Sequence, residues 1–454
     1  MRFSPAQLLA AVLAVSLIGS GSERPRLLIL ITADTLRADR LGAYGSPLGL
    51  TPELDRLARR SIRFEQVFTP MPLTLPALTA LMTGLYPQEA GVRSNVSVVP
   101  ERAETLASIL RRRGWRTAAV VSSSILTPAS QIDRGFERYD HDLLQYERNG
   151  RIPERVAPDT TAAAIRMLDT LARDTTHPLF LWVHYQDAHG PYTPPEECAA
   201  PAGPPPPDVR DRTLPVSGDD SGEGAIPRYQ LLGAHRESAL YRAAYNGEIR
   251  CLDRFIGELF ADVERRGLLE RAVVVFAADH GEGLGERGSW FAHGARLTPA
   301  ETRVPLLIHV PGRPAEARRD IASLLDVLPT LLRLVGVEPP AQLRGRDLFA
   351  LGARYRASSL YLATPPGDGK IPRRGFVSGR YRYVREERPV LPVERLLRVG
   401  DPLSDLLRTE PSRAERMRER VAEWREYLAS VPGEQRVQPS PELRADLRTL
   451  GYAP

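Results

Sequence analysis

Five apolar runs, rich in β-branched and large aliphatic residues, recur along the chain and predict strands that are buried on both faces. The runs are Leu27 to Thr32, Thr117 to Val121, Leu179 to Tyr185, Ala272 to Ala278 and Val304 to Val310. Between them lie stretches with apolar residues at helical spacing, the longest at 241–267. This alternation predicts an α/β fold, with a mostly parallel central sheet and helices on both faces.

Two regions break the alternation. Residues 194–227 are rich in proline, glycine and acidic residues, which predicts a surface insertion. After residue 353 the alternating sequence GFVSGRYRYVREE predicts an antiparallel hairpin, and Ser412 to Ser430 predict a surface helix. We therefore expect a large α/β domain at residues 24–353, which includes the insertion, and a small α+β subdomain at residues 354–454.

The N-terminal residues have the order of a secretory signal peptide. Arg2 is followed by an apolar run from Leu8 to Ile18 and then by small residues up to Ser22. The run is shorter than the roughly 20 residues that span a bilayer. The sequence predicts a cleaved signal peptide at residues 1–22 and a periplasmic or secreted protein, which contacts a membrane only if this segment is retained.

The two cysteines, Cys198 and Cys251, allow one disulfide in an oxidising compartment. Cys251 lies in a helical pattern, and nothing in the sequence fixes its distance from Cys198. Two separate buried thiols are the preferred interpretation.

Composition narrows the possible partners. The 454 residues are 42% hydrophobic and 26% charged, with a formal net charge of +5, and basic residues alternate with acidic ones throughout. No basic block is present, which argues against a nucleic-acid partner. Of the 61 basic residues only Lys370 is a lysine, so chemistry that needs a lysine elsewhere is excluded.

Polar residues with metal-binding chemistry follow the predicted strands. Asp34 follows the first strand, and Asp279 and His280 follow the fourth. Carboxyl ends of parallel strands meet at one edge of a sheet, where ligands bind. Two carboxylates and an imidazole at that edge predict a site for one divalent metal.

Histidines from two further segments are candidates for the same site. His184, Asp187 and His189 lie at or after the third strand, and His293 follows the fourth. Each of these residues alone is compatible with an ordinary loop or helix-cap position. Their combination with the predicted metal site favours a functional role.

Thr74 stands where a helix begins, two residues before Pro76. A hydroxyl there is compatible with a simple N-cap. The same position directs a hydroxyl and free N–H groups toward a tetrahedral anion, and beside a metal the hydroxyl could attack phosphorus or sulfur.

Several motifs resemble the sulfatase family of the alkaline phosphatase superfamily. They include LLILITADTLRADRLGAYG, ALTALMTGLYP, DAHGPYTPP, VVVFAADHGEGLGERG and RVPLLIHVPG, in the family's order. The resemblance implies a divalent cation held by Asp34, Asp279 and His280, a nucleophile at Thr74, and substrate contacts from His189 and His293. It also implies a small-molecule, glycan or lipid ester as substrate.

The departures from the family pattern concern the nucleophile and its surroundings. Thr74 stands in place of the cysteine or serine that is oxidised to formylglycine, and Leu78 in place of an arginine. Other positions that differ from the family are Thr35 (aspartate), His280 (asparagine), Ser122 (lysine) and Ser124 (histidine). With fewer carboxylates and one imidazole, zinc or manganese is favoured over calcium or magnesium.

These features predict an exported, metal-dependent hydrolase of sulfate, phosphate or phosphonate esters that acts through a covalent Thr74 intermediate. Phosphate-type esters are favoured, and His189 or His293 is expected to protonate the leaving oxygen. Two alternatives stay open. One is a transferase of phosphoethanolamine-type head groups, and the other is a non-catalytic binding protein with the same fold.

Overall fold

A computed structural model describes residues 25–143, 145–146, 153–174, 176–218, 221–350, 359–365, 371–401 and 403–436. The predicted signal peptide, the boundary at residues 353 and 354, and Lys370 lie outside these residues. The strands are β1 Leu27–Ala33, β2 Ile62–Phe68, β3 Arg116–Val121, β4 Arg138–Asp140, β5 Gln145–Tyr146, β6 Pro153–Glu154, β7 Leu179–Tyr185, β8 Ala272–Ala278, β9 Arg303–His309, β10 Glu316–Ser323, β11 Ser359–Ala363, β12 Arg373–Ser378, β13 Tyr381–Glu386 and β14 Val393–Arg398. The α-helices are α1 Pro52–Ala58, α2 Thr74–Thr83, α3 Pro87–Ala90, α4 Leu106–Arg112, α5 Ala157–Leu171, α6 Ser238–Arg265, α7 Pro299–Thr302, α8 Val327–Leu334 and α9 Pro411–Ala429.

The central sheet has eight strands in the order β10-β2-β9-β8-β1-β7-β3-β4. All neighbouring pairs are parallel except those of β9, which runs antiparallel to β2 and to β8. The five predicted strands are β1, β3, β7, β8 and β9, and their bounds agree with the prediction to within one residue. The predicted α/β class with a mostly parallel sheet is confirmed.

Three strands of this sheet are absent from the prediction. Strand β4 has only three residues, Arg138–Asp140, which are too few to show a pattern. The other two are β2 and β10. In β2, buried and partly exposed positions are mixed, and β10 is mostly exposed over its first five residues. Strand β10 also lies at the edge of the sheet. Neither strand carries the continuous apolar run that marks the fully buried strands.

The C-terminal residues form a separate antiparallel sheet in the order β11-β12-β13-β14, which includes the predicted hairpin β12–β13. One face of this sheet packs on α9 through residues that include Phe376, Tyr383 and Met417. The same apolar cluster contains Met71 and Leu73, which directly precede α2. The C-terminal sheet therefore supports the start of α2.

The predicted insertion at residues 194–227 is bonded to helix α6. Cys198 and Cys251 form a disulfide, so the expectation of two separate thiols is wrong. The insertion folds back along α6, where a Cβ on Gly247 would lie 2.6 Å from Pro194 Cγ. The small residue permits this close approach, and the sequence spacing of the cysteines does not reveal it.

Among the described residues, no helix combines the length and the apolar composition needed to cross a membrane.

Candidate catalytic and metal site

The two candidate metal-binding segments leave neighbouring strands at the same level. Strands β1 and β8 are parallel and pair Ala33 with Ala278, so Asp34 and Asp279 follow side by side. The backbone N–H of Asp279 donates to the carbonyl oxygen of Ala33 at 3.2 Å. The N–H of Thr35 donates to Asp279 Oδ1 at 3.2 Å, which fixes that carboxylate against the β1 loop.

Asp34, Asp279 and His280 converge within a closed space. Their ligand atoms all lie within 4.8 Å of one another, and all three side chains are fully buried. His280 Nε2 lies 3.6 Å from Asp34 Oδ1 and 3.5 Å from Asp279 Oδ2. None of these three atoms has a hydrogen-bond partner in the described part of the chain. Unpaired buried polar atoms are costly, and here they surround one point.

The tautomer of His280 fits a metal ligand. His280 Nδ1 lies 3.0 Å from the carbonyl oxygen of Gly281, which can only accept, so Nδ1 carries the ring proton. Nε2 therefore presents a lone pair toward the two carboxylates. Burial and the charge of Asp279 raise the pKa of Asp34 well above its usual range, and burial raises the pKa of Asp279 to about 8. A bound cation would compensate both charges, so these residues fit a divalent metal.

Thr74 is directed at this cluster. Its hydroxyl donates to Asp34 Oδ2 at 3.3 Å, and the side chain is 1% exposed. Thr74 is the first residue of α2, and the N-cap is Leu73, which has an extended backbone and no side-chain cap. The simple N-cap interpretation is therefore wrong. The next residue, Leu75, donates its N–H to Asn95 Oδ1 at 2.9 Å, which holds the helix start in place.

His189 and His293 lie on one side of the cluster. Their ring centroids are 5.2 Å apart, and the ring of His293 lies 4.4 Å from that of His280. His189 Nδ1 donates to the carbonyl oxygen of Gly190 at 2.7 Å, which leaves Nε2 as an acceptor. Burial lowers the pKa of His189 to about 3, so its ring is neutral at pH 7.

Glu282 is a site residue that the sequence analysis did not select. Its side chain is fully buried, and its Oε1 lies 3.4 Å from His293 Nδ1. The hydroxyl of Tyr192 donates to Glu282 Oε2 at 2.9 Å. Glu282 lies two residues after His280, in the same motif. This short spacing is the feature of the sequence that could have indicated its place in the site.

The sequence analysis named His184 as a candidate but gave it no role in catalysis or metal binding. It is the penultimate residue of β7, and its Nε2 lies 3.9 Å from Asp34 Oδ2. Within the described ranges this nitrogen has no hydrogen-bond partner. His184 Nδ1 lies 2.9 Å from the hydroxyl of Thr32, which accepts from Trp182 Nε1. Burial lowers the pKa of His184 to about 3. A neutral ring therefore faces the same carboxylate as Thr74.

Three of the positions that depart from the family pattern, Leu78, Ser122 and Thr35, bring no charged group to the site. Leu78 is buried in the apolar core. The hydroxyl of Ser122 donates to the carbonyl oxygen of His184 at 2.7 Å and lies 2.7 Å from Thr160 Oγ1, so its role is structural. Thr35 Oγ1 is buried without a hydrogen-bond partner among the described residues. Asp187, the remaining candidate, lines a cavity together with His189 and Glu248, and burial raises its pKa to about 6.

Comparison with known proteins is consistent with this geometry. The family profile described as Sulfatase matches residues 26–337. Choline-sulfatase of Rhizobium meliloti (strain 1021) is 28% identical over 330 residues, which cover 63% of this chain and 63% of that protein. The match thus spans less than two thirds of choline-sulfatase. Arylsulfatase A of Homo sapiens is 28% identical over 414 residues, which cover 80% of this chain and 75% of that protein.

Solved structures share the fold. A protein in complex with its substrate D-glucosamine-2-N,6-O-disulfate superposes with a TM-score of 0.71 at 18% identity, over 90% of this chain and 98% of that one. The phosphonate monoester hydrolase of Silicibacter pomeroyi superposes with a TM-score of 0.70 at 19% identity, over 89% and 96% of the two chains.

Proposed function

The chain belongs to the sulfatase family of ester hydrolases, and from this premise we propose that it hydrolyses phosphate or phosphonate esters through a covalent intermediate on Thr74. The observation that carries the proposal is the hydrogen bond from Thr74 to Asp34 Oδ2, inside the cluster of unpaired metal-ligand atoms. A hydroxyl held there by a carboxylate has the position of an activated nucleophile.

The proposed reaction has two displacements at phosphorus. In the first, Thr74 Oγ1 bonds to phosphorus and its proton passes to Asp34 Oδ2, its hydrogen-bond acceptor. The bond from phosphorus to the ester oxygen breaks, and this oxygen takes a proton from a histidine of the site, which releases the alcohol. In the second, water bonds to phosphorus and the bond to Thr74 Oγ1 breaks, which frees phosphate or phosphonate. A divalent cation on Asp34, Asp279 and His280 would favour the ionised hydroxyl and offset charge on the phosphoryl oxygens.

The two histidines suit different proton transfers. His189 is neutral with Nε2 as an acceptor, which suits removal of a proton from the attacking water. His293 faces the carboxyl group of Glu282, with Nδ1 3.4 Å from Glu282 Oε1, which orients its ring. We assign donation to the leaving oxygen to His293, with Glu282 as its positioning residue.

We base the preference for phosphate-type esters on two features. One is the threonine nucleophile, and the other is the replacement of two basic residues of sulfatases by uncharged ones. Threonine cannot be converted to the formylglycine aldehyde. The positions where sulfatases place an arginine and a lysine hold Leu78 and Ser122, and in this structure both are packed in structural roles.

Mass spectrometry of the acid-quenched enzyme tests the intermediate. During turnover of an aryl phosphate diester or phosphonate ester, a fragment containing Thr74 should gain the mass of the phosphoryl group. Turnover with no adduct at Thr74, under conditions in which the alcohol is released in a burst, would contradict the proposal.

We also propose zinc or manganese as the metal, because the site offers one imidazole and two carboxylates. Export to the periplasm or the medium is part of the same proposal, and the disulfide between Cys198 and Cys251 supports it. Sequencing of the mature N-terminus tests export, since a chain recovered with Met1 intact from the cytosol would contradict it.

A further inference from the structure

A second cavity lies between the catalytic domain and the C-terminal sheet. It encloses about 410 Å³. One wall is the face of the sheet that carries Arg373, Arg382 and Arg395, and the opposite wall includes Arg37 and Arg40. None of the six candidate catalytic and metal-binding residues lines it. The cavity is therefore separate from the site that contains Thr74.

The lining of this cavity has an excess of basic side chains. Eight arginines line it, against four acidic residues. Three of these acidic residues form ion pairs with two of the eight arginines, Arg37 and Arg373. Asp39 and Glu286 lie 2.6 Å and 2.7 Å from the guanidinium of Arg37, and Glu386 lies 3.4 Å from that of Arg373.

Arg382 is left without a counter-charge at hydrogen-bond distance. Its side chain is buried, at 2% exposure, and none of its three guanidinium nitrogens has a hydrogen-bond partner in the described part of the chain. Burial lowers the pKa of Arg382 to about 9. Glu301 is the carboxyl group that attracts Arg382 electrostatically, but within the described residues it makes no hydrogen bond to the guanidinium. Buried charges in proteins are paired and hydrogen-bonded, so the free N–H groups of Arg382 are suited to a further anion.

Other residues that line the cavity also carry buried polar atoms without hydrogen-bond partners in the described part of the chain. Arg373 Nη2 and Arg40 Nε have no hydrogen-bond partner among the described residues, and the same holds for Thr298 Oγ1. These groups come from both walls of the cavity. Planar guanidinium groups with free N–H donors match the oxygen atoms of phosphate and sulfate.

We propose that this cavity binds a tetrahedral oxyanion, phosphate or sulfate, with the guanidinium of Arg382 as its principal donor. The anion is either free in solution or a charged group of a larger ligand, such as a sulfated or phosphorylated sugar. The proposal does not depend on the chemistry at Thr74, because the two sites share no residue.

Calorimetric titration of the full-length protein with inorganic phosphate and with sulfate, at constant ionic strength in chloride, tests the site. Arg382→Met should weaken anion binding at least tenfold, and Arg382→Lys should weaken it less. The matched control is Arg380→Met, at an exposed position on the turn between β12 and β13, which should bind as the wild type does. Arg40→Gln, from the opposite wall, should weaken binding several-fold and covers the case in which Arg382→Met does not fold.

The catalytic centre is a possible second anion site, so the titrations are repeated in Asp279→Ala. The component that depends on Arg382 should persist in that background. A disulfated glucosamine is titrated in parallel. Binding of inorganic anions indicates a free ligand, and binding of the sugar alone, lost in Arg382→Met, indicates a group carried by a larger ligand. Equal affinities in the wild type, Arg382→Met and Arg40→Gln for all three probes would overturn the proposal, as would loss of all binding in Asp279→Ala.

Discussion

The hydroxyl of Thr74 donates a hydrogen bond to Asp34 Oδ2, while the N-cap position of its helix belongs to Leu73. Helix α2 therefore loses no cap when this hydroxyl is removed. The effect of a Thr74 substitution on turnover can therefore be measured separately from its effect on stability.

Thr74→Ala should lower kcat for a phosphodiester by about a thousandfold or more, as expected for loss of a nucleophile. Stability should fall by only about 1 kcal/mol, the value of one hydrogen bond. Thr74→Ser keeps the hydroxyl and should retain measurable turnover. Steady-state kinetics beside thermal unfolding checks both effects.

Thr79→Ala is the matched control for this prediction. Thr79 is a buried residue of the same helix, and its hydroxyl has no hydrogen-bond partner in the described part of the chain. Its turnover should equal that of the wild type. Unchanged kcat in Thr74→Ala would remove this residue from the mechanism.

Asp279→Ala should abolish stoichiometric metal binding, because it removes one of three converging ligands. Asp253→Asn is the control. Asp253 is also a buried carboxylate, but it accepts N–H bonds from Glu53 and Leu54 at the start of α1. Elemental analysis after dialysis against a fixed zinc concentration should show metal loss only in Asp279→Ala. Equal metal content in the two variants would contradict the assignment.

Glu301 should make stability depend on pH. Its carboxyl is fully buried, and burial raises its pKa to about 8 from an ordinary value of 4.5. The folded protein thus holds a proton that the unfolded chain releases near pH 4.5. The contribution of this group to stability is full below pH 4.5 and is lost as the pH rises to 8, with a size on the order of a few kcal/mol.

Urea unfolding of the metal-free protein from pH 5 to 8.5 measures this dependence. Glu301→Gln should flatten the decline of unfolding free energy with pH, because glutamine does not titrate. Glu338→Gln, at an exposed position, should leave the slope unchanged. Identical slopes for all three proteins would mean that Glu301 is ionised in the folded state.

Replacement of both cysteines by alanine should lower the free energy of unfolding by about 2–4 kcal/mol. The disulfide closes a segment with a sequence separation of 53 residues, which restricts the unfolded chain. Chemical denaturation of oxidised wild type, reduced wild type and the double variant checks this. Reduced wild type should match the double variant, and equal stability of all three would contradict a structural role for the bond.

The sequence predicted those parts of the molecule that leave a local signal. Buried strands such as β8 carry continuous apolar runs, and the polar residues after them, Asp34 and Asp279, meet because parallel strands end at one edge. The position of Thr74 followed from helix-start chemistry together with the resemblance to the sulfatase family.

The parts that the sequence did not predict depend on contacts between distant segments. The pairing of Cys198 with Cys251 requires the insertion to fold along α6. Arg382 lies in an alternating hairpin that is typical of a half-exposed strand, and an arginine is usually exposed. Only the packing of the C-terminal sheet against the catalytic domain shows that its guanidinium is buried.

The C-terminal sheet and the segment before α2 share one apolar core, and this matters for the interpretation of truncated genes. A premature stop codon after position 350 would leave Asp34, Thr74, Asp279 and the three candidate histidines encoded. The truncated product would lack the strands against which Met71 and Leu73 pack. A gene fragment that carries every motif of this site would therefore still lack part of the core that supports the start of α2.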